Sequence, residues 1–231
     1  MGQEQQSMQP IRVFAERGRT RTFAGAKDWP GWCRSGRSEM EALARLLSVG
    51  PRYAGVVRPL GLAFQPPAVL QQFLVDERVT GSATTDFGAP DAALAADADS
   101  VAPEECLRLV WILTGCFRAF EAAAQAGECR ALRKGPRSGG RQLPAIVLHV
   151  LEANCAYLQK LAWRPRPVTG TPVESLHRLE AEVAEALTAA AAGRLPRAGP
   201  RGGRLWTPRF FARRAAWHLL DHAWEIEDRL E

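Results

Sequence analysis

Lysine is almost missing from this chain. Lys27, Lys134 and Lys160 are the only three, so Arg supplies the rest of its 30 cationic residues. Set against 25 acidic residues, the formal charge is only +5 over 231 positions. No basic tail or groove-reading motif accompanies that modest field, so nucleic acid is not an expected partner. Also missing is any apolar run approaching the ~20 residues that cross a bilayer. The opening "MGQEQQSMQP" has no charged start followed by an apolar stretch, so it is not expected to act as a signal peptide. Five cysteines, an odd number without C-x-x-C spacing, do not describe a disulfide framework. Reduced thiols in a cytoplasm are the expectation.

What is present is a globular composition, 46% hydrophobic and 24% charged, with a change of period along the chain. "IRVFAERG" and "RTRTFAGAKDWP", separated by a turn at Gly18, predict a β-hairpin. Ser38 with Glu41 three residues later predicts a capping box opening a helix with a stripe of Ala42, Leu43, Leu46 and Leu47. "QQFLVDERVTG" predicts a third strand, with Phe73, Val75 and Glu77 on one side. Residues 82–102 are small, acidic and broken by Pro and Gly; they read as a linker that packs through Phe87.

Beyond it, four stretches carry helical period. The first starts at Pro103, with a face of Leu107, Val110, Trp111, Thr114, Phe117 and Phe120; the others are "LPAIVLHVLEANCAYLQKLAW", "PVESLHRLEAEVAEALTAAAAG" and "TPRFFARRAAWHLLDHAWEIEDRLE". The fold class is therefore α+β: a small N-terminal antiparallel sheet with a helix over 1–81, the linker, and a four-helix bundle over 103–231.

Two of only four histidines, His218 and His222, stand four apart on the last helical stretch. That spacing puts two imidazoles on one face, and chance gives about 0.07 such pairs in a chain of this composition. A metal site needs a third donor, and His149 in "AIVLHVLEAN", in or beside the core, is the natural one. The alternative is a hydrogen-bonded core histidine plus a surface pair salt-bridged to Asp221 and Glu225. Each of Glu152, Asp221 and Glu225 lies three residues after a histidine, where a carboxylate can fix an imidazole tautomer. Glu225 or Asp221 could also serve as an acid or base. His177, surrounded by charge, is expected on a solvated face. Cys33, Cys116 and Cys155 are expected to be buried and inert, and the tryptophans, Trp206, Trp217 and Trp224 among them, to form core or pocket walls.

"IVLHVLEAN" and "AWHLLDHAWEIEDR", in this order and on these helices, resemble the DinB/YfiT-like superfamily of four-helix bundles. The resemblance covers about 103–231 and implies one divalent ion, Zn, Ni or Fe, on His149, His218 and His222. It further implies a thiol-dependent transferase or isomerase using a low-molecular-weight thiol; a three-imidazole ion with an open position is equally suited to activating water, so a metal-dependent hydrolase is also expected. "AGAKDWPGWCRSGRSEMEALARLL" is more faintly similar to the HicB-like βα unit, which implies a fold and no activity.

A second candidate is "LRKGPRSGGRQLP", a Gly-containing loop with Arg133, Lys134, Arg137 and Arg141 just before a helix start. It lacks G-K-[ST], so it is no Walker loop, yet it suits the anionic group of a substrate. The expected partners are a small anionic molecule and a second copy of the chain in a homodimer, with no membrane. The competing reading is a non-enzymatic module, stress-related or protein-binding, in which a metal only staples the bundle.

Overall fold

The protein is described from a computed structural model, which covers residues 9–134, 140–198 and 203–230. The chain divides into two compact units, Met1–Leu94 and Ala95–Glu231.

The N-terminal unit is a four-stranded sheet with helices. Its strands are β1 (Ile11–Arg17), β2 (Thr22–Ala26), β3 (Cys33–Gly36) and β4 (Phe73–Thr80), in the order β3-β2-β1-β4. The predicted hairpin is β1–β2, antiparallel, with Ala15 opposite Ala24 and the turn closed by the Gly18 amide donating to the Arg21 carbonyl. β3, not foreseen, extends it. The expected third strand exists as β4, with Phe73, Val75, Glu77 and Val79 half-buried and the residues between them exposed. It pairs with β1 in parallel, however, which corrects the all-antiparallel expectation. The cause is the connection. α1 (Glu39–Ser48) and α2 (Gly50–Val57) lie between β3 and β4 and return the chain in the direction of β1, as parallel pairing requires.

Ser38 caps α1 by accepting from the Glu41 amide, but the Glu41 carboxylate reaches past the cap to the Arg37 amide at 2.8 Å. α1 packs on β2 and β3, and α3 (Ala83–Phe87) also touches β2, whose five residues are all buried. Gly25 is required there, because a Cβ would lie 2.5 Å from the Phe14 ring. Trp32, Tyr53 and Phe64 fill the remaining core.

The segment expected as a linker is structured, and the unit boundary falls inside it. Its first half is held to β1: the buried Glu16 carboxylate accepts from the Thr85 hydroxyl and from the Asp91 and Ala92 amides. Phe87, the expected packing residue, is 91% exposed. The second half begins the C-terminal unit. There Asp97 is buried against Arg213, and the Arg209 guanidinium donates to Glu105 and to the carbonyls of Ala96, Asp99 and Ser100.

Four helices make up most of that unit: α4 (Pro103–Gly127), α5 (Leu143–Lys160), α6 (Pro172–Ala191) and α7 (Pro208–Arg229). Their starts follow their caps. Thr171 and Glu174 form a capping box at α6, Thr207 caps α7, and proline occupies the first turn of all four. They pack on one another around Ile112, Phe117, Phe120, Ile146, Leu187 and Phe211. The face of α4 is rotated from the expected one. Leu107 and Trp111 are exposed, while Cys106, Leu109, Ile112 and Leu113 are buried. Apolar residues run most of the way round this helix, so its period fixes a stripe width but not which edge faces inward. No helix among the described residues is long and apolar enough to cross a membrane.

Candidate metal centre

The two histidines of α7 lie one turn apart, and α5 passes close enough to bring His149 against both. The ring centroids of His149 stand 5.0 Å from those of His218 and of His222, and the latter two are 4.7 Å apart. Each ring offers one nitrogen, and the three atoms lie within 4.8 Å of one another. His149 Nε2 and His218 Nε2 are 3.2 Å apart. A tetrahedral ion with bonds of ~2.0–2.1 Å sets its ligand nitrogens roughly 3.4 Å apart, so the donor set fits a small divalent cation. His218 is 5% exposed, and its Nδ1 has no hydrogen-bond partner among the described residues. The contact between the His149 and His218 nitrogens is a hydrogen bond when one of the two carries a proton; in the tautomers where neither does, two lone pairs face each other, an arrangement a cation between them satisfies.

Electrostatics prepare two of these rings, those of His149 and His218, as neutral donors. Burial first, then the neighbouring His222 and Arg141 charges, holds the His149 imidazole below its ordinary range against the opposing pull of Glu225. His218 is held well below it, again by burial first, with His222, His149, Arg214 and Arg141 adding to the effect. Unprotonated imidazole is the form that ligates.

Glu225 is the carboxylate that meets the cluster. Its Oε2 lies 2.8 Å from His222 Nδ1, so the Nδ1 proton is shared with Glu225 and Nε2 is left as the donor atom. The hydrogen bond with His222 comes first in keeping the Glu225 carboxyl below the ordinary carboxylate range, outweighing its burial. Arg229, one turn on, donates to Glu225 Oε1 at 2.6 Å and, through Nε, to the Arg133 carbonyl. Arg229 did not emerge from the sequence, although its i,i+4 spacing from Glu225 was the available signal. Gly140 leaves room for it. At φ +122° a Cβ there would lie 2.9 Å from Arg229 Nη2.

The other candidates are distributed as follows. Asp221 is half-buried on α7, and Glu152 is exposed on α5. His177 is exposed, as expected, and pairs with Glu121 of α4 at 2.9 Å. In the basic loop, Arg133 is drawn to the C-terminal end of α7, donating to the Asp228 carbonyl at 2.8 Å, where a cation meets the negative end of the helix dipole. Lys134 and Arg141 are exposed, with Arg141 close enough to act on two of the imidazoles; Arg137 lies outside the described residues. All five cysteines are free. Cys33 and Cys116 are buried, and burial pushes the Cys116 and Cys155 thiols up, away from nucleophilic character.

What the arrangement can do chemically is hold a cation by three neutral nitrogens on two helices, with His149 half-exposed at its outer side. Compared with protein-family models, with curated proteins and with solved structures, the chain matches none.

Proposed function

We propose that this is a DinB-like divalent-metal-binding protein, with His149, His218 and His222 holding one ion. On this reading it works as a metal-dependent thiol transferase or hydrolase on a small anionic substrate. The observation that carries the reading is the convergence of three imidazole nitrogens within 4.8 Å. An all-imidazole set suits Zn, Ni or Fe. When bound, such an ion supplies Lewis acidity, bringing the pKa of a coordinated thiol or water toward neutrality. Glu225 holds the proton at His222 Nδ1, Arg229 holds Glu225, and burial keeps His218 unprotonated. The N-terminal unit, HicB-like on this reading, serves as an accessory module.

The packing argues against a metal that only staples the helices. Ile112, Phe117, Phe120, Ile146 and Phe211 form a fully buried apolar core, which supports folding without an ion. The deciding measurement is metal content by elemental analysis after reconstitution, with helicity followed by circular dichroism before and after chelation. The reading expects about one equivalent in the intact chain, a large loss in His149→Ala, and helices that survive chelation. Less than about a tenth of an equivalent would overturn the metal site, and unfolding on chelation would convert it to a structural one.

A further inference from the structure

On the far side of α5 from the histidines, the C-terminal unit holds a cleft of about 180 Å³ between α4, α5 and α6. Val147 in its wall and His149 are two residues apart, hence ~200° apart around α5, so the cleft and the candidate metal centre use different faces of one helix. The buried Phe120 and Leu176 and the more open Ala124, Leu143, Val147 and Val173 make the walls apolar. An apolar cavity of ~150 Å³ takes up benzene, so the ligand body that fits here is one ring or a branched chain of similar size.

The rim carries charge of one sign. Its polar members are Glu121, Gln125 and Glu128, all from the C-terminal end of α4, and no lysine or arginine lines the cleft. Gln125 and His177 both meet Glu121 Oε1, at 3.3 and 2.9 Å, so Oε2 keeps no hydrogen-bond partner among the described residues. Glu128 is exposed and forms no ion pair among the described residues. Two helix starts, at Pro144 and Pro172, lie on the same rim, but a helix dipole presents only about half a charge, and that of α6 is already met by Glu174. Two full carboxylates outweigh them. An anion is repelled here and a neutral ligand gains nothing from the rim, whereas an ammonium group is attracted.

We propose that this cleft is a binding site for a small organic amine, its apolar body held among Phe120, Val147, Val173 and Leu176 and its ammonium group at Glu121 and Glu128. The site is independent of the metal-centre reading, since it shares no residue with the three histidines.

The test uses benzylamine and the neutral benzyl alcohol, nearly identical in shape, titrated into the isotope-labelled full chain while the amide NMR signals of Ala124, Val147 and Val173 are followed. Benzylamine is expected to reach half-saturation at or below ~20 mM, the weak limit for a ligand of its size, and to bind roughly fivefold more tightly than benzyl alcohol, the scale of an exposed ion pair. Glu121→Gln combined with Glu128→Gln is expected to bring that ratio to about one. Ala124→Phe, which fills the cleft, is expected to weaken both ligands by about tenfold or more. Absence of saturable shifts at these amides, equal affinity of the two ligands in the wild type, a ratio that survives the double substitution, or unchanged binding in Ala124→Phe overturns the site. The wild-type comparison decides the matter even if a variant fails to fold. Shifts of the same amides on dilution of the ligand-free protein would mean that a second copy of the chain fills the cleft, which also overturns the proposal.

Discussion

Among the polar groups buried in the two units, Glu16 in one and His218 in the other are treated in opposite ways. In the N-terminal unit, Glu16 is fully enclosed, and its two oxygens accept from a hydroxyl and two backbone amides, all at 3.1 Å or less. In the C-terminal unit, His218 is almost as enclosed, yet one nitrogen faces another imidazole and the other has no hydrogen-bond partner among the described residues. A buried carboxylate with every lone-pair direction engaged is a structural fastener. A buried imidazole left half-satisfied costs stability, and such costs collect at functional sites.

The sharpest way to test that contrast is to replace each group with something that cannot do its work. His218→Leu removes one of three metal donors while keeping an apolar volume in place. Structural zinc in four-ligand peptides binds with ~10–16 kcal/mol, so one donor is worth roughly 2.5–4 kcal/mol, on the order of a hundredfold to a thousandfold in affinity. Competition with a chromophoric chelator would show that loss, while the urea midpoint of the metal-free protein should stay level or rise. Glu16→Ala should behave in the reverse manner. Three donors lose their acceptor in a closed interior, which costs about 3 kcal/mol in urea unfolding, while metal uptake is unaltered. If both substitutions destabilise equally, the division into fastener and site collapses.

The same contrast explains what the sequence could reveal. The histidine constellation was legible because i,i+4 spacing on α7 is a local rule, and because His149 stands in an apolar stretch with its own start signal. Capping was legible for the same reason, down to Thr171 with Glu174. The fastener was not legible. Glu16 meets Thr85, Asp91 and Ala92 across about 70 residues of chain, and nothing in the stretch around Glu16 announces it. The parallel direction of β4 was hidden likewise, since it depends on the route taken through α1 and α2. Phe87 shows the converse error. A lone aromatic in a polar segment invites burial, but α3 turns it outward and buries Thr85 instead.

A smaller effect should come from Arg229→Gln, which leaves all three donors in place. It removes the guanidinium that holds Glu225, and with it part of the restraint on the His222 tautomer. Outer groups of this kind change metal affinity by ~10–100-fold, and the low end is expected here because Glu225 itself remains. Glu225→Gln, which turns the acceptor into an amide, should cost more than Arg229→Gln. The reverse order would mean that Arg229 acts through the Arg133 carbonyl and the chain end rather than through the site.

Acid should separate the two units most gently. In metal-free protein the folded His218 imidazole sits well below its ordinary value, so between ~6.5 and that lowered value the unfolded chain binds more protons than the folded one. The stability His218 contributes is therefore fully present above pH ~6.5 and is lost as pH falls toward the folded value. The N-terminal unit holds its shifted carboxyls elsewhere on the scale. Burial pushes the Asp76 carboxyl up, but hydrogen bonds from Arg12 and Lys27 outweigh it and leave it below the usual range. Stability from that group persists until pH falls below ~3.9. Amide hydrogen exchange with a chelator present should accordingly show α5 and α7 losing protection as pH falls below ~6.5 while β1 and β4 keep theirs. His218→Leu should abolish the difference, because a leucine takes up no proton in either state.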